Sequence, residues 1–266
     1  MPDLSRTLRT AFTRVLNRRT AVRRGQLGVT IIGDRQIAIY LPPGYNDRSE
    51  RRYPVLYMQD GQNLFDDARA FAGRSWRLRE AADEAIGLRT ASPMIIVGVD
   101  HANNDRVHEY TPTHDELRRA GGKADEYGRF LFDKVKRAID DTYLTRPDDI
   151  HIGGSSLGAL VSLHLALRYP VRGAIVMSPS VWWDNRAIIK EVDDYAEPRR
   201  PRIWLDIGGR EGREALDNTR LLRDHLRARG WNESTLRYYE DRRAEHTERA
   251  WGARARKALE FLFPPE

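Results

Sequence analysis

The chain contains no cysteine. Disulfide frameworks, thiol nucleophiles and cysteine-ligated zinc are therefore excluded. No apolar run reaches the ~18 residues that a membrane-spanning helix needs. The arginines near the N-terminus lack a following apolar core, so this segment does not read as a secretory signal. The expected compartment is the cytoplasm. No Walker glycine loop and no Gly-x-Gly-x-x-Gly dinucleotide turn is present. His101, His108 and His114 share one polar stretch but lack helical ligand spacing. His108-Glu109-Tyr110-Thr111-Pro112 begins like His-Glu-x-x-His and ends in proline. No metal site is expected from either pattern.

What is present suits one large α/β domain of 266 residues. The net charge of +6 is unevenly placed. Residues 1–24 carry seven arginines and a single acid, Asp3, while the remainder holds equal numbers of basic and acidic residues. This basic N-terminal arm has two readings. One is contact with an acidic partner, such as a protein surface, nucleic acid or anionic lipid. The other is an amphipathic helix whose Leu4, Leu8, Phe12, Val15 and Leu16 pack on the domain. Residues 25–266 are expected to form the catalytic domain. Oligomeric state does not follow from the sequence.

After residue 25 the pattern alternates strand and helix. Strands are expected at Gln36 to Leu41, Tyr53 to Met58, Met94 to Val99, Asp149 to Ile152, Gly173 to Met177, Arg202 to Ile207 and Thr235 to Tyr239. Helices are expected at Trp76 to Ile86, Asp125 to Asp141, Leu157 to Tyr169, Glu214 to Arg229 and the C-terminus. Residues 101–123 read as a long irregular excursion. This alternation predicts a doubly wound, mainly parallel sheet, with ligands at the C-terminal ends of its strands.

The most informative segment is Gly154-Ser155-Ser156-Leu157-Gly158, between a buried strand and an apolar helix. It fits Gly-x-Ser-x-Gly, the nucleophile elbow of α/β-hydrolases. Glycine on each side lets strand and helix approach without a Cβ clash. The serine is held at the apex, beside a helix N-terminus that favours an oxyanion. Ser155 lacks a glycine two residues on, so Ser156 is the candidate nucleophile. An ordinary glycine-rich strand-to-helix turn is the structural alternative.

Serine needs a general base, and the base needs an orienting acid. In α/β-hydrolases the chain order is Ser, acid, His. Only His164, His225 and His246 follow Ser156. His164 falls mid-helix and His225 on a charged helix. His246 falls in a loop after the last strand and is the candidate base. Glu211, beyond Gly208-Gly209-Arg210, is the candidate acid. Asp206 is the runner-up, and Asp184 or a Ser–His dyad remain open. The oxyanion donors are expected to be the backbone N–H groups of Leu157 and Gln62, with Asn63 as alternative to Gln62. Trp182 and Trp183 are candidate pocket walls. Arg106 and Tyr110 are candidates to anchor the 101–123 excursion over the substrate, although Arg106 equally suits a structural ion pair.

Five segments together resemble a known family. They are Tyr57 through Phe65, Arg106 through Pro112, Gly154 through Gly158, Ser178 through Trp183, and Gly208 through Glu211. In order and spacing they are similar to the putative esterase (esterase D and enterochelin esterase-like) family of α/β-hydrolases. The resemblance covers roughly residues 30–250. It implies a serine ester hydrolase with no metal or organic cofactor, acting on a small-molecule ester. It also places the acid at Glu211. Two positions depart from the family pattern: Ala159 and Gly209 stand where Gly and Thr are usual. Relatives act on siderophore esters, acetylated or feruloylated sugars and thioesters, so the substrate is left open. An acyltransferase on the same triad and a non-catalytic binding protein are the alternative readings.

Overall fold

Strands with apolar residues on both faces build the central layer of the protein. The computed structural model describes residues 24–46 and 48–265. Among the described residues there are ten strands: β1 (Gln26–Ile32), β2 (Arg35–Leu41), β3 (Tyr53–Gln59), β4 (Ile95–Val99), β5 (His114–Asp115), β6 (Ala120–Gly121), β7 (Thr145–Ser155), β8 (Gly173–Met177), β9 (Arg202–Gly208) and β10 (Leu236–Asp241). Eight of them form one sheet in the order β1-β2-β4-β3-β7-β8-β9-β10. The β1–β2 and β2–β4 pairs are antiparallel. Every pair from β4 across to β10 is parallel. The arm expected over residues 1–24 lies, apart from Arg24, outside the described residues.

Helices cover both faces. They are α1 (Leu78–Gly87), α2 (Arg106–Glu109), α3 (Ala124–Arg129), α4 (Arg137–Thr142), α5 (Leu157–Arg168), α6 (Ala187–Asp194), α7 (Arg213–Ala228) and α8 (Glu248–Leu262). A π-helical segment, Phe130–Lys136, joins α3 to α4. Side chains alternate along each strand, so each strand feeds two cores. On β8, Ala174 and Val176 join the core beneath α3–α5. Ile175 and Met177 join the opposite core, beneath α1 and α8. This double burial explains the continuous apolar run of β4, in which every residue is buried. Helix α5 is buried from Leu157 to Leu167, which accounts for leucines on all its sides.

Three elements go beyond the sequence reading. Strand β1 forms the outer edge of the sheet, and its Leu27, Val29 and Ile31 are 41, 61 and 73% exposed. These three alternate along one exposed face, and Ile32 alone of the strand packs against the core, so the strand buries no apolar face. Helix α6 follows a stretch in which Asp184, Asn185 and Arg186 all take positive φ. Asp184 and Asn185 tolerate that conformation, but without glycine or proline the turn signal is weak. The 101–123 excursion is less irregular than expected, because it contains α2 and the β5–β6 ladder.

The topology also places the site. From β3 the chain passes to β4 on one side and then to β7 on the other. The carboxyl ends of β3 and β7 therefore flank the point where strand order reverses, the usual position of a ligand crevice in such sheets. The segments leaving those ends are Asp60–Asn63 and Ser156.

Candidate active site

Ser156 sits at the apex of the turn from β7 into α5, with φ 57° and ψ −122°. A non-glycine residue in this region is strained, by about 1–3 kcal/mol. The surrounding backbone holds it there. Ser156 N–H donates to Met177 O (3.0 Å), and Ser156 O accepts from Ser180 N and Leu160 N (3.2 and 3.1 Å). The two glycines permit a close approach, with Gly154 the more tightly constrained. A Cβ on Gly154 would lie 2.8 Å from the Gly158 carbonyl carbon. A Cβ on Gly158 would lie 3.1 Å from Gln59 Cβ and Asp60 Oδ2. Ser155 is a buried strand residue paired with Met177 on β8. Ser156 is half-buried, and its hydroxyl lies 3.3 Å from Ser180 Oγ.

Across the sheet edge, His246 Nδ1 donates to Glu211 Oε2 at 2.6 Å. Glu211 is held rigidly by its other oxygen. Oε1 accepts from Ser178 Oγ (2.7 Å) and from Gly208 N–H (2.8 Å). Its side chain is only 2% exposed. Burial pushes its pKa up, but the hydrogen bonds from His246 and Ser178 outweigh that and leave it lowered. Glu211 is thus an anion. With Nδ1–H committed to that anion, the other ring nitrogen of His246 is left with its lone pair. Trp251 braces the imidazole edge-on, 4.8 Å between centroids. Ser156 and His246 share the walls of one cavity of about 510 Å3. No hydrogen bond joins them among the described residues. Such bonds often tighten only with substrate present.

The loop after β3 supplies the opposite wall. Asp60 adopts a left-handed conformation, φ 56°, opening a short 3-10 turn, Gly61–Asn63. Neither Gln62 N–H nor Leu157 N–H donates to another described group, so both are available to an oxyanion. Asp60 is fixed by a bidentate ion pair with Arg106, both contacts 2.7 Å. Arg106 also lies over the Tyr110 ring, and Tyr110 Oη accepts from Asp60 N–H at 3.2 Å. The excursion therefore clamps the loop that presents Gln62.

The sequence profile of the family described as "Putative esterase" matches residues 29–262. The chain belongs to this family. As a member it is an ester-hydrolysing enzyme, built on the doubly wound, mainly parallel α/β fold of its relatives. The esterase is similar to the uncharacterized protein YbbA of Bacillus subtilis, 27% identical over 256 residues, covering 90% of this chain and 97% of YbbA. It is also similar to the siderophore triacetylfusarinine C esterase of Aspergillus fumigatus, 26% identical and covering 76% and 72% of the two chains. Among solved structures, the BES protein from Bacillus cereus superposes with a TM-score of 0.74 at 20% identity, covering 90% of this chain and 95% of that one.

Several candidates from the sequence take other places in the esterase. Asp206, the runner-up acid, is fully buried and does not reach His246. Its oxygens accept from Arg254 (2.9 Å) and Trp204 Nε1 (2.7 Å). Burial raises its pKa, against the pull of Arg254. Trp182 and Trp183 do not line the cavity. Trp183 is buried and donates to Thr113 O at 3.0 Å, and the Arg118 guanidinium stacks 4.8 Å from the Trp182 ring. Both pack against the 111–121 loop. Tyr110 is fully buried and supports Asp60 from behind. Of the four tentative substrate residues, only Arg106 reaches the cavity.

The cavity is also lined by His101, considered above only as a metal ligand, and by residues the sequence reading passes over: Phe71, Asn103, Asn104, Glu248 and Trp251. A signal existed for two of them. Thr247 caps α8, its Oγ1 accepting from Ala250 N at 3.3 Å. A Thr directly after His246 announces a helix start, which places Glu248 and Trp251 in the first turn beside the imidazole. The asparagines carried no comparable pattern.

A buried relay stands behind Glu211. Trp251 Nε1 and Arg254 donate to Ser178 Oγ (2.9 and 3.3 Å), which donates to Glu211. Loss of a hydrogen bond to a charged group is worth about 1.5–3 kcal/mol. Ser178→Ala is therefore expected to lower kcat about tenfold or more with little change in KM, as steady-state kinetics will show. Arg254→Ala would leave Asp206 an uncompensated buried charge. The expected loss of stability is about 3–5 kcal/mol, measured by urea unfolding.

Proposed function

We propose that this esterase is a serine carboxylic ester hydrolase that works through an acyl-enzyme on Ser156. The observation that carries the reading is the 2.6 Å Glu211–His246 pair beside a strained elbow serine. In the proposed reaction Ser156 Oγ attacks the ester carbonyl carbon while His246 Nε2 takes the hydroxyl proton. The carbonyl oxygen becomes an oxyanion and accepts from the N–H groups of Leu157 and Gln62. As the tetrahedral intermediate collapses, the bond to the alcohol oxygen breaks and His246 returns its proton to that oxygen. Water then repeats the sequence on the acyl-enzyme, releasing the acid and restoring Ser156. Glu211 stays ionised throughout. It keeps the imidazole in the required tautomer and stabilises its cation.

A cavity of about 510 Å3 suits a small-molecule ester, within the usual range of ~300–1,000 Å3. Its lining is polar on the Asn103–Asn104 side and aromatic at Phe71 and Trp251. Hydrolysis of p-nitrophenyl acetate, butyrate and octanoate tests the reading. The expected result is saturable turnover that favours the shorter acyl chains. Absence of turnover on all three, together with no reaction of Ser156 with a phosphonate, would overturn it.

A further inference from the structure

Most arginines of the domain are matched by carboxylates or carbonyls. Arg106 meets Asp60, Arg220 meets Glu240 and Arg254 meets Asp206. In another cavity, near the amino ends of the central strands, Arg199 and Arg200 spend their N–H groups on backbone carbonyls. One cleft collects two arginines that have no such partner. It lies between the exposed face of β9–β10 and helix α8, and it measures about 490 Å3. None of its lining residues belongs to the catalytic cavity.

Three cations line this cleft: Arg202, Arg237 and Lys257. The Arg202 and Arg237 guanidiniums lie 4.5 and 5.5 Å from the centre of the Phe261 ring. Neither has a hydrogen bond or a carboxylate partner among the described residues, and the Nε of Arg202 is buried without any acceptor. The Lys257 ammonium donates to Tyr239 Oη at 3.2 Å, a neutral partner. The one carboxylate in the lining, Glu260, is already bound by Thr90 Oγ1 (2.6 Å) and Arg256 (3.2 Å). Three like charges are thus gathered around one carboxylate, and none of the three is in contact with it. Burial, and then the nearby charge of Arg237, lower the pKa of Arg202, so the cations disfavour one another here.

We propose that this cleft is a second binding site, for the phosphate group of a small phosphate monoester. Two guanidinium forks and an ammonium match a tetrahedral dianion with three acceptor oxygens. A monocarboxylate would leave most of the positive charge unanswered. Phe261 and Tyr239 keep the cation side chains in place by cation–π contact, and Trp204 packs against both rings.

Isothermal titration calorimetry on the full chain at low ionic strength tests the proposal, with inorganic phosphate, phenyl phosphate and benzoate as probes. The expected result is one saturable site for phosphate and phenyl phosphate, weakened by salt, with benzoate binding more weakly. Arg237 and Lys257 are exposed, so Arg237→Gln and Lys257→Gln should fold and keep wild-type esterase turnover. Each is expected to weaken phosphate binding about tenfold, the size of one charge-assisted contact. Failure of the wild type to bind phosphate would overturn the proposal. So would undiminished binding in both variants, which places the anion elsewhere, such as on the N-terminal arginines. Benzoate binding as tightly as phenyl phosphate would overturn the assignment to a dianion.

Discussion

Ser156→Ala is expected to lower kcat for ester hydrolysis by about 10^4–10^6, the range seen when a triad nucleophile is removed. KM should change little, because the hydroxyl contributes to the transition state far more than to substrate binding. The fold should be intact. Alanine is smaller than serine, and the backbone bonds that hold the strained apex run through Ser156 N–H and O, not through Oγ. The same argument predicts non-additivity. His246→Ala should cost about as much as Ser156→Ala, and the double variant should be no worse than either alone. Residual activity would come from Leu157 and Gln62, whose N–H groups survive both changes. A progress curve on p-nitrophenyl acetate for the three variants decides this.

Glu211→Gln is expected to lower kcat by about 10^3–10^4. The amide preserves the shape of the side chain but removes the anion that His246 Nδ1–H requires. It also presents an N–H₂ group where an acceptor is needed, favouring the wrong imidazole tautomer. A second effect follows from proton linkage. The folded pKa of Glu211 lies below its ordinary value, so its stabilising contribution is complete above the unfolded value of about 4.3. That contribution is lost as pH falls through the folded value. The glutamine variant should therefore lose less stability than the wild type on acidification below about pH 4.3. Thermal unfolding across the acid range measures the difference. Asp206→Asn should leave the acid-base chemistry of His246 in place, because Asp206 serves Arg254 and Trp204.

The outline of the site was legible because three of its parts leave local signatures. The paired glycines at Gly154 and Gly158 mark a close strand–helix approach. Position after the last strand singles out His246, and Gly208 permits the loop that brings Glu211 back on its own backbone. A Cβ at Gly208 would lie 2.6 Å from Glu211 Oε1. The walls of the cavity were not legible. Asn103 and Asn104 join the serine's cavity only through the fold, and nothing in their neighbours announces it. Trp182 and Trp183 stand outside this cavity for a related reason. They follow β8 as pocket residues often do, yet Gly121 leaves room for the Trp183 ring, which fills it and pins a loop. The sheet followed from continuous apolar runs such as β4. Strand β1 did not, since it buries no apolar face.

The central claim is that Ser156 is the nucleophile. The most direct measurement is treatment of the active enzyme with a fluorophosphonate, followed by intact mass and peptide mapping. The account predicts one phosphonyl adduct, located on Ser156, that forms as esterase activity disappears and is absent from Ser156→Ala. An adduct on Ser155, Ser178 or Ser180, or turnover that continues unchanged with Ser156 fully modified, would contradict it.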